Sequence, residues 1–105
     1  MVKKKDLEIV KRFKKNASKK IPIKKIILFG SRAKGKTHRW SDFDLIIVSN
    51  KFKGVKSFKR SSELYDYWGY NYPVDFLCYT LKEFNNLKNK ITIVRGAIKE
   101  GIEVI

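Results

Sequence analysis

Between Asp6 and Lys19 the apolar residues Leu7, Val10, Phe13 and Ala17 recur at near-helical spacing, and lysines fill the other faces. That pattern predicts an amphipathic helix. Pro22 ends it, because proline removes a backbone donor and clashes with the preceding turn. Lys25–Phe29 is a short apolar run stopped by Gly30, which predicts a buried strand. Ser31–Lys36 opens on a serine suited to an N-cap and ends near Gly35, which predicts a short helix. Thr37–Ser41 reads as a loop, Asp42–Ser49 as a second strand, and Lys51–Ser57, with Gly54, as another loop. Ser57–Trp68 reads as a helix with Phe58, Leu64 and either Tyr65 or Trp68 turned inward. Tyr72–Tyr79 is a third strand. Thr80-Leu81-Lys82-Glu83 has the spacing of a capping box and starts a further helix. Ile91–Lys99 reads as helical, and Ile102–Ile105, after Gly101, as a short last strand.

These elements alternate without a low-complexity linker or internal repeat. The expectation is an α/β (α+β) fold, a small mixed sheet with helices packed on it, in a single domain over residues 1–105. Apolar residues are 43% of the chain, enough to bury roughly two-thirds of the unfolded surface without disulfides or a structural metal. Cys78 is the only cysteine, so no internal disulfide forms, and a reducing cytoplasm is the expected location. No apolar run approaches a membrane span, and the basic start Met1-Val2-Lys3-Lys4-Lys5 lacks the apolar segment of a secretory signal.

The net charge of +15, from 25 Lys and Arg against 10 Asp and Glu, changes the picture in one respect. A surface this basic attracts polyanions, whether nucleic acid, nucleotides or an acidic protein face. Twenty of the 25 basic residues are lysine, and compositional drift or adaptation to temperature also enriches lysine. Both readings stay open, because charge speaks to association and not to chemistry.

Chemistry is concentrated in three places. In Phe29-Gly30-Ser31 a strand runs into a glycine, where backbone can approach a phosphate closely, and then into a serine at a helix start, where free N–H groups and a hydroxyl favour an anion. In Ser41-Asp42-Phe43-Asp44-Leu45-Ile46-Ile47-Val48 alternate residues share a strand face. Asp42 and Asp44 therefore point the same way, roughly 6–7 Å apart, with Phe43, Leu45 and Ile47 turned to the core. Two such carboxylates repel unless something positive lies between them, and magnesium prefers hard oxygen ligands of this kind. A solvated junction with Asp42 capping a turn is the bland alternative. In Tyr72-Pro73-Val74-Asp75-Phe76-Leu77-Cys78-Tyr79 one carboxylate interrupts an apolar strand, which calls for a partner or a function. If that strand lies beside Asp42–Ser49, Asp75 completes a three-carboxylate cluster able to hold two metal ions. If it lies at an open edge, Asp75 faces water.

Taken together, Gly30-Ser31, then ten residues, then Asp42-Phe43-Asp44 on a strand, then Asp75 about thirty residues on resembles the nucleotidyltransferase superfamily that includes DNA polymerase β. The fuller string Leu28-Phe29-Gly30-Ser31-Arg32-Ala33-Lys34-Gly35, followed by Ser41–Val48, is similar to the minimal nucleotidyltransferases (MNT) of bacteria and archaea, commonly encoded beside a HEPN-domain protein. The resemblance runs from Ile26 to Phe76. Members often carry Arg where this chain has Lys34, which keeps the charge and loses the bidentate fork.

The resemblance implies a Mg²⁺-dependent enzyme using ATP or another nucleoside triphosphate. Gly30 and Ser31 would hold phosphates, with Arg32 a further candidate for nucleotide contact against the alternative of surface charge. Asp42 and Asp44 would bind Mg²⁺ with the triphosphate, and Asp75 would share a second ion and help activate the incoming hydroxyl. It further implies a partner: a HEPN ribonuclease toxin silenced by adenylylation, with this chain as the antitoxin. Homo- or hetero-oligomers fit that role. Two rivals stand beside it, a catalytically silent Mg²⁺–nucleotide module that inhibits its partner by contact, and a basic nucleic-acid-binding or end-modifying protein. His38, the only histidine, reads as a loop residue and Cys78 as a small buried hydrophobe. The run Tyr65, Tyr67, Trp68, Tyr70, Tyr72 reads as core or protein interface before base-stacking platform.

Overall fold

The computed structural model describes residues 1–36 and 41–105. The expected Thr37–Ser41 loop, apart from Ser41, and His38 within it lie outside the described residues. Among the described residues nine helices and strands follow one another: α1 (Lys4–Ala17), β1 (Lys25–Phe29), α2 (Ser31–Lys34), β2 (Phe43–Val48), α3 (Ser62–Trp68), β3 (Val74–Tyr79), α4 (Leu81–Leu87), α5 (Ile93–Glu100) and β4 (Ile102–Glu103), with 3₁₀ turns at Asn50–Phe52 and Ser57–Lys59. The four strands form one mixed sheet in the order β3-β2-β1-β4. β2 runs parallel to β3, whereas β1 is antiparallel to both β2 and β4. The expected α/β class and mixed sheet are what the chain adopts. No helix among the described residues is long and apolar enough to cross a membrane.

The period-2 pattern of the strands builds two cores, one on each face. On one face Ile26 and Leu28 of β1, Phe43, Leu45 and Ile47 of β2 and Phe76 of β3 pack against Ile9, Val10, Phe13 and Ala17 of α1 and Leu64 and Trp68 of α3. Aromatic rings knit this layer: Phe43 and Trp68 meet edge-to-face at 5.1 Å and Phe13 stacks on Phe76 at 5.3 Å, geometries worth about 0.5–1.5 kcal/mol per pair beyond the burial itself. On the opposite face Ile27, Ile46 and Val48 pack against Phe84 of α4 and Val94 and Ala97 of α5. β2 is therefore apolar on both faces over its second half, as expected of a strand covered on both sides.

Several local expectations shift by a residue or two, and three are corrected. The helix expected over Ser57–Trp68 begins only at Ser62, since Arg60 is drawn sideways into hydrogen bonds with the Val55 and Cys78 carbonyls and the Glu83 carboxylate. Phe58 consequently lies outside the core, 75% exposed, while Leu64 and Trp68 are buried. Ser31 is the first helical residue of α2 and not its cap; Gly30 takes the cap position. The capping box at Thr80 and Glu83 forms in full, with the Thr80 hydroxyl accepting from the Glu83 amide and the Glu83 carboxylate accepting from the Thr80 amide. The tyrosine-rich run is core only in part: Trp68 is buried and Tyr67, Tyr70 and Tyr72 pack half-buried against the aromatic layer, whereas Tyr65 is exposed, and the Trp68 indole donates to the Tyr72 carbonyl at 2.9 Å. Cys78 is half-buried beside the same layer, and burial pushes its thiol pKa up to about 12, so it stays a protonated, poorly nucleophilic thiol at neutral pH.

Candidate active site

The sheet register brings the site together. In β1 and β2 Phe29 lies opposite Asp44, and in β2 and β3 Asp44 lies opposite Asp75. A single row across the sheet thus reads Phe29, Asp44, Asp75, with Gly30 following Phe29 and Asp42 two residues before Asp44 on the same face. Because β2 and β3 are parallel, registered residues point to the same side. Asp44 and Asp75 consequently share the α4/α5 face, and strand alternation extends that face to Asp42. A recess reaching around the edge strand β3 is lined by Asp44, Asp75, Leu77 and Ile93 and, from the aromatic face, by Tyr65 and Phe76.

Asp44 is half-buried, whereas Asp42 and Asp75 are exposed. Burial raises the Asp44 pKa above its ordinary value, and the charges of Asp75 and then Asp42 raise it further. That ordering is what uncompensated carboxylates on one face produce. The Tyr65 hydroxyl, on the rim, is also raised by burial and by Asp75. Among the described residues no group of three or more His, Cys, Asp or Glu side chains stands close enough together to hold a metal ion. Asp44 and Asp75 are in register, whereas Asp42 lies ahead of the paired strand, and without a cation between them like charges do not draw together.

Gly30 is built into this arrangement. Its backbone has φ 74° and ψ −158°, a region open in practice only to glycine. A Cβ there would stand 2.4 Å from Oδ2 of Asp44. Glycine thus lets the β1–α2 turn lie directly against the central carboxylate. Ser31 follows, exposed, beside it. Lys34, further along α2, is exposed and pairs with Glu100 at 3.3 Å.

Arg32 corrects the reading of a surface charge. It is 4% exposed, and its donors are engaged internally: Nε and Nη2 donate to the Ser41 carbonyl at 3.1 and 2.8 Å, and Nη1 donates to Oδ1 of Asp6 at 3.1 Å. The guanidinium lies over the rings of Phe43 and Tyr72, at 4.3 and 4.9 Å. Sequence reasoning missed Asp6 altogether. The signal was available, since Asp6 stands four residues before Val10 and so belongs to the inward stripe of α1, where a lone carboxylate demands a buried cation.

Asp44 and Asp75 are thus registered on parallel strands, Asp42 stands just ahead of β2, and a glycine turn presses on Asp44. The chain belongs to the nucleotidyltransferase domain family, whose model matches residues 9–99. A crystal structure at 1.40 Å resolution of a protein from Sulfolobus solfataricus, provisionally named a nucleotidyltransferase, superposes with a TM-score of 0.66 at 20% sequence identity, over 94% of this chain and 78% of that one. At that identity the likeness is one of fold. A search of curated proteins finds no significant match.

Proposed function

We propose that this chain is a Mg²⁺-dependent nucleotidyltransferase that transfers AMP from ATP to a hydroxyl of a partner protein. The observation that carries this reading is the registered row of Asp44 and Asp75 with Asp42 on the same face, joined to a glycine whose side chain is excluded by Asp44. The donor set is all carboxylate oxygen, which fits a hard divalent cation, and the raised Asp44 pKa reflects negative charge that a cation would offset. Asp42 and Asp44 would hold Mg²⁺ with the triphosphate, and Asp75 would share a second ion. Bound there, the metal would neutralise charge on the phosphates.

The chain's own residues supply the rest. Gly30 admits the phosphates close to its backbone and Ser31 offers a hydroxyl donor. Asp75, exposed on β3, orients the attacking hydroxyl and draws on its proton. The hydroxyl oxygen bonds to the α-phosphorus, the bond to the departing pyrophosphate breaks, and the proton leaves toward Asp75. The acceptor, a tyrosine of a HEPN ribonuclease silenced by adenylylation, with this chain as antitoxin, follows from the resemblance of Leu28–Gly35 and Ser41–Val48 to the minimal nucleotidyltransferases. The basic surface favours a second acceptor class, since a charge of +15 also draws RNA.

The test is transfer of α-labelled ATP in host lysate with Mg²⁺, comparing wild type with Asp42→Asn and Asp44→Asn. A labelled protein band in wild type, lowered by more than about 100-fold in either variant, is the expected result, since loss of a direct ligand exceeds the 10–100-fold typical of outer partners. Label in RNA moves the acceptor to nucleic acid. Intact ATP binding with no label anywhere replaces the enzyme with a silent binding module.

A further inference from the structure

We infer that Arg32 and Asp6 form a buried clamp that positions Asp42 for metal–nucleotide binding, so that Arg32 is a positioning residue and not a phosphate ligand. The inference rests on the nucleotidyltransferase reading and adds to it a role for two residues in the interior.

The geometry is specific. Two nitrogens of one guanidinium, Nε and Nη2, converge on the carbonyl oxygen of Ser41. That carbonyl belongs to the same peptide unit as the Asp42 amide, so fixing it fixes the plane from which Asp42 departs. One residue later, the Phe43 amide donates to the Pro73 carbonyl at 2.9 Å. Asp42 is thus held between a peptide gripped by Arg32 on one side and a bond to the strand bearing Asp75 on the other. Asp42 itself stands just outside β2, whose regular pairing starts at Phe43.

The clamp is itself held rigidly. Nη1 is anchored on Asp6 in the first turn of α1, with both side chains about 95% buried, and the guanidinium plane rests on Phe43 and Tyr72. Oδ2 of Asp6 is buried without a hydrogen-bond partner among the described residues, so the carboxylate is committed to Arg32 at a cost in desolvation. A merely stabilising position would be filled more cheaply by an apolar side chain. Arg32 also follows Gly30 and Ser31 directly in the chain, so the clamp ties the glycine turn to the carboxylate strand. The planar fork is essential, because a lysine can reach one acceptor but cannot grip the Ser41 carbonyl twice while holding Asp6.

The experiment compares wild type, Arg32→Lys, Asp6→Asn and Asp42→Asn in three measurements: circular dichroism, thermal unfolding without ligand, and binding of Mn²⁺ with the non-hydrolysable ATP analogue AMPCPP by calorimetry, well below each unfolding midpoint. Folded Arg32→Lys should bind Mn²⁺–AMPCPP about 10- to 100-fold more weakly, the range seen for partners that orient a metal ligand, and Asp6→Asn should move in the same direction. Wild-type affinity in both folded variants, with unfolding midpoints alone lowered, overturns the inference and leaves a structural pair. Weak binding in Arg32→Lys beside wild-type binding in Asp6→Asn also overturns it, in favour of direct phosphate contact by Arg32. If Arg32→Lys does not fold, Asp6→Asn decides alone. Loss of binding in Asp42→Asn with none in the clamp variants sinks the inference but spares the proposed function; absence of binding in wild type sinks both.

Discussion

The two faces of the central strand β2 meet opposite demands. On one, Phe43, Leu45 and Ile47 are fully buried under α1 and α3. On the other, Ile46 and Val48 are buried under α4 and α5, while Asp44 and Asp42 continue the row past them to the open end, where of these two helices only Ile93, at the start of α5, lines the recess with Asp44. Each face also carries carboxylates, treated differently. Asp6, on the aromatic side, is matched by Arg32, whereas no described basic side chain forms an ion pair with Asp42, Asp44 or Asp75. One face has its charge cancelled internally, in the layer that anchors the sheet. The other keeps its charge uncancelled and holds it on the rigid strand that the first face anchors, which is how a binding site keeps its geometry.

The largest break in this comparison comes from the aromatic face. Phe43 meets Trp68 and Tyr72 and lies beneath Arg32. Phe43→Ala should destabilise the fold by about 3–5 kcal/mol, read as a shift of the urea midpoint, and should weaken the proposed Mg²⁺–ATP binding in the fraction that remains folded. A loss under about 1 kcal/mol would mean that the ring is not central to the layer. The other face breaks more gently and more selectively. Gly30→Ala places a Cβ against Asp44 in a backbone conformation that costs a non-glycine residue about 1–3 kcal/mol. Transfer activity should fall far more than stability does, because the displaced group is the central carboxylate. Full activity in the alanine variant would sever the link between the turn and Asp44.

How far the sequence reaches differs between the faces in the same way. Helical spacing located α1, and the run Lys25–Phe29 located β1 with its observed ends, because each depends on local periodicity. Asp42 and Asp44 shared a face by the same arithmetic. That Asp75 lies level with Asp44 depends on which strands pair and in what register, and pairing across the chain is not written in local pattern. Arg32 was harder still. Its partner Asp6 is 26 residues away, and a basic residue one place past Gly-Ser invites a phosphate reading. Only the inward position of Asp6 on α1 betrays the pair. Phe58 failed for a different reason: Lys59-Arg60-Ser61-Ser62 offers no apolar face to carry a helix through, and the Arg60 bonds end any continuation.

The smallest effect sharpens the contrast most directly, since it turns on the ionisation of one carboxylate. Burial first, then Asp75 and Asp42, raise the Asp44 pKa. A carboxyl raised on folding binds its proton more tightly in the folded chain than in the unfolded one. Its contribution to stability is therefore fully present below the unfolded pKa and is lost as pH rises through the folded value. Ionised Asp44 opposes folding at neutral pH, and Asp44→Asn removes that opposition. The variant should gain on wild type as pH climbs from about 4, the ordinary Asp value, through the folded pKa, and hold a constant margin above it. Urea midpoints measured across this range give the curve. Mg²⁺ added to wild type should narrow the margin by offsetting the same repulsion, and should do nothing to Asp44→Asn of comparable size. Parallel curves for the two proteins would show that folding does not raise the Asp44 pKa, by burial or by its neighbours, and the face would lose the property that most distinguishes it from its aromatic counterpart.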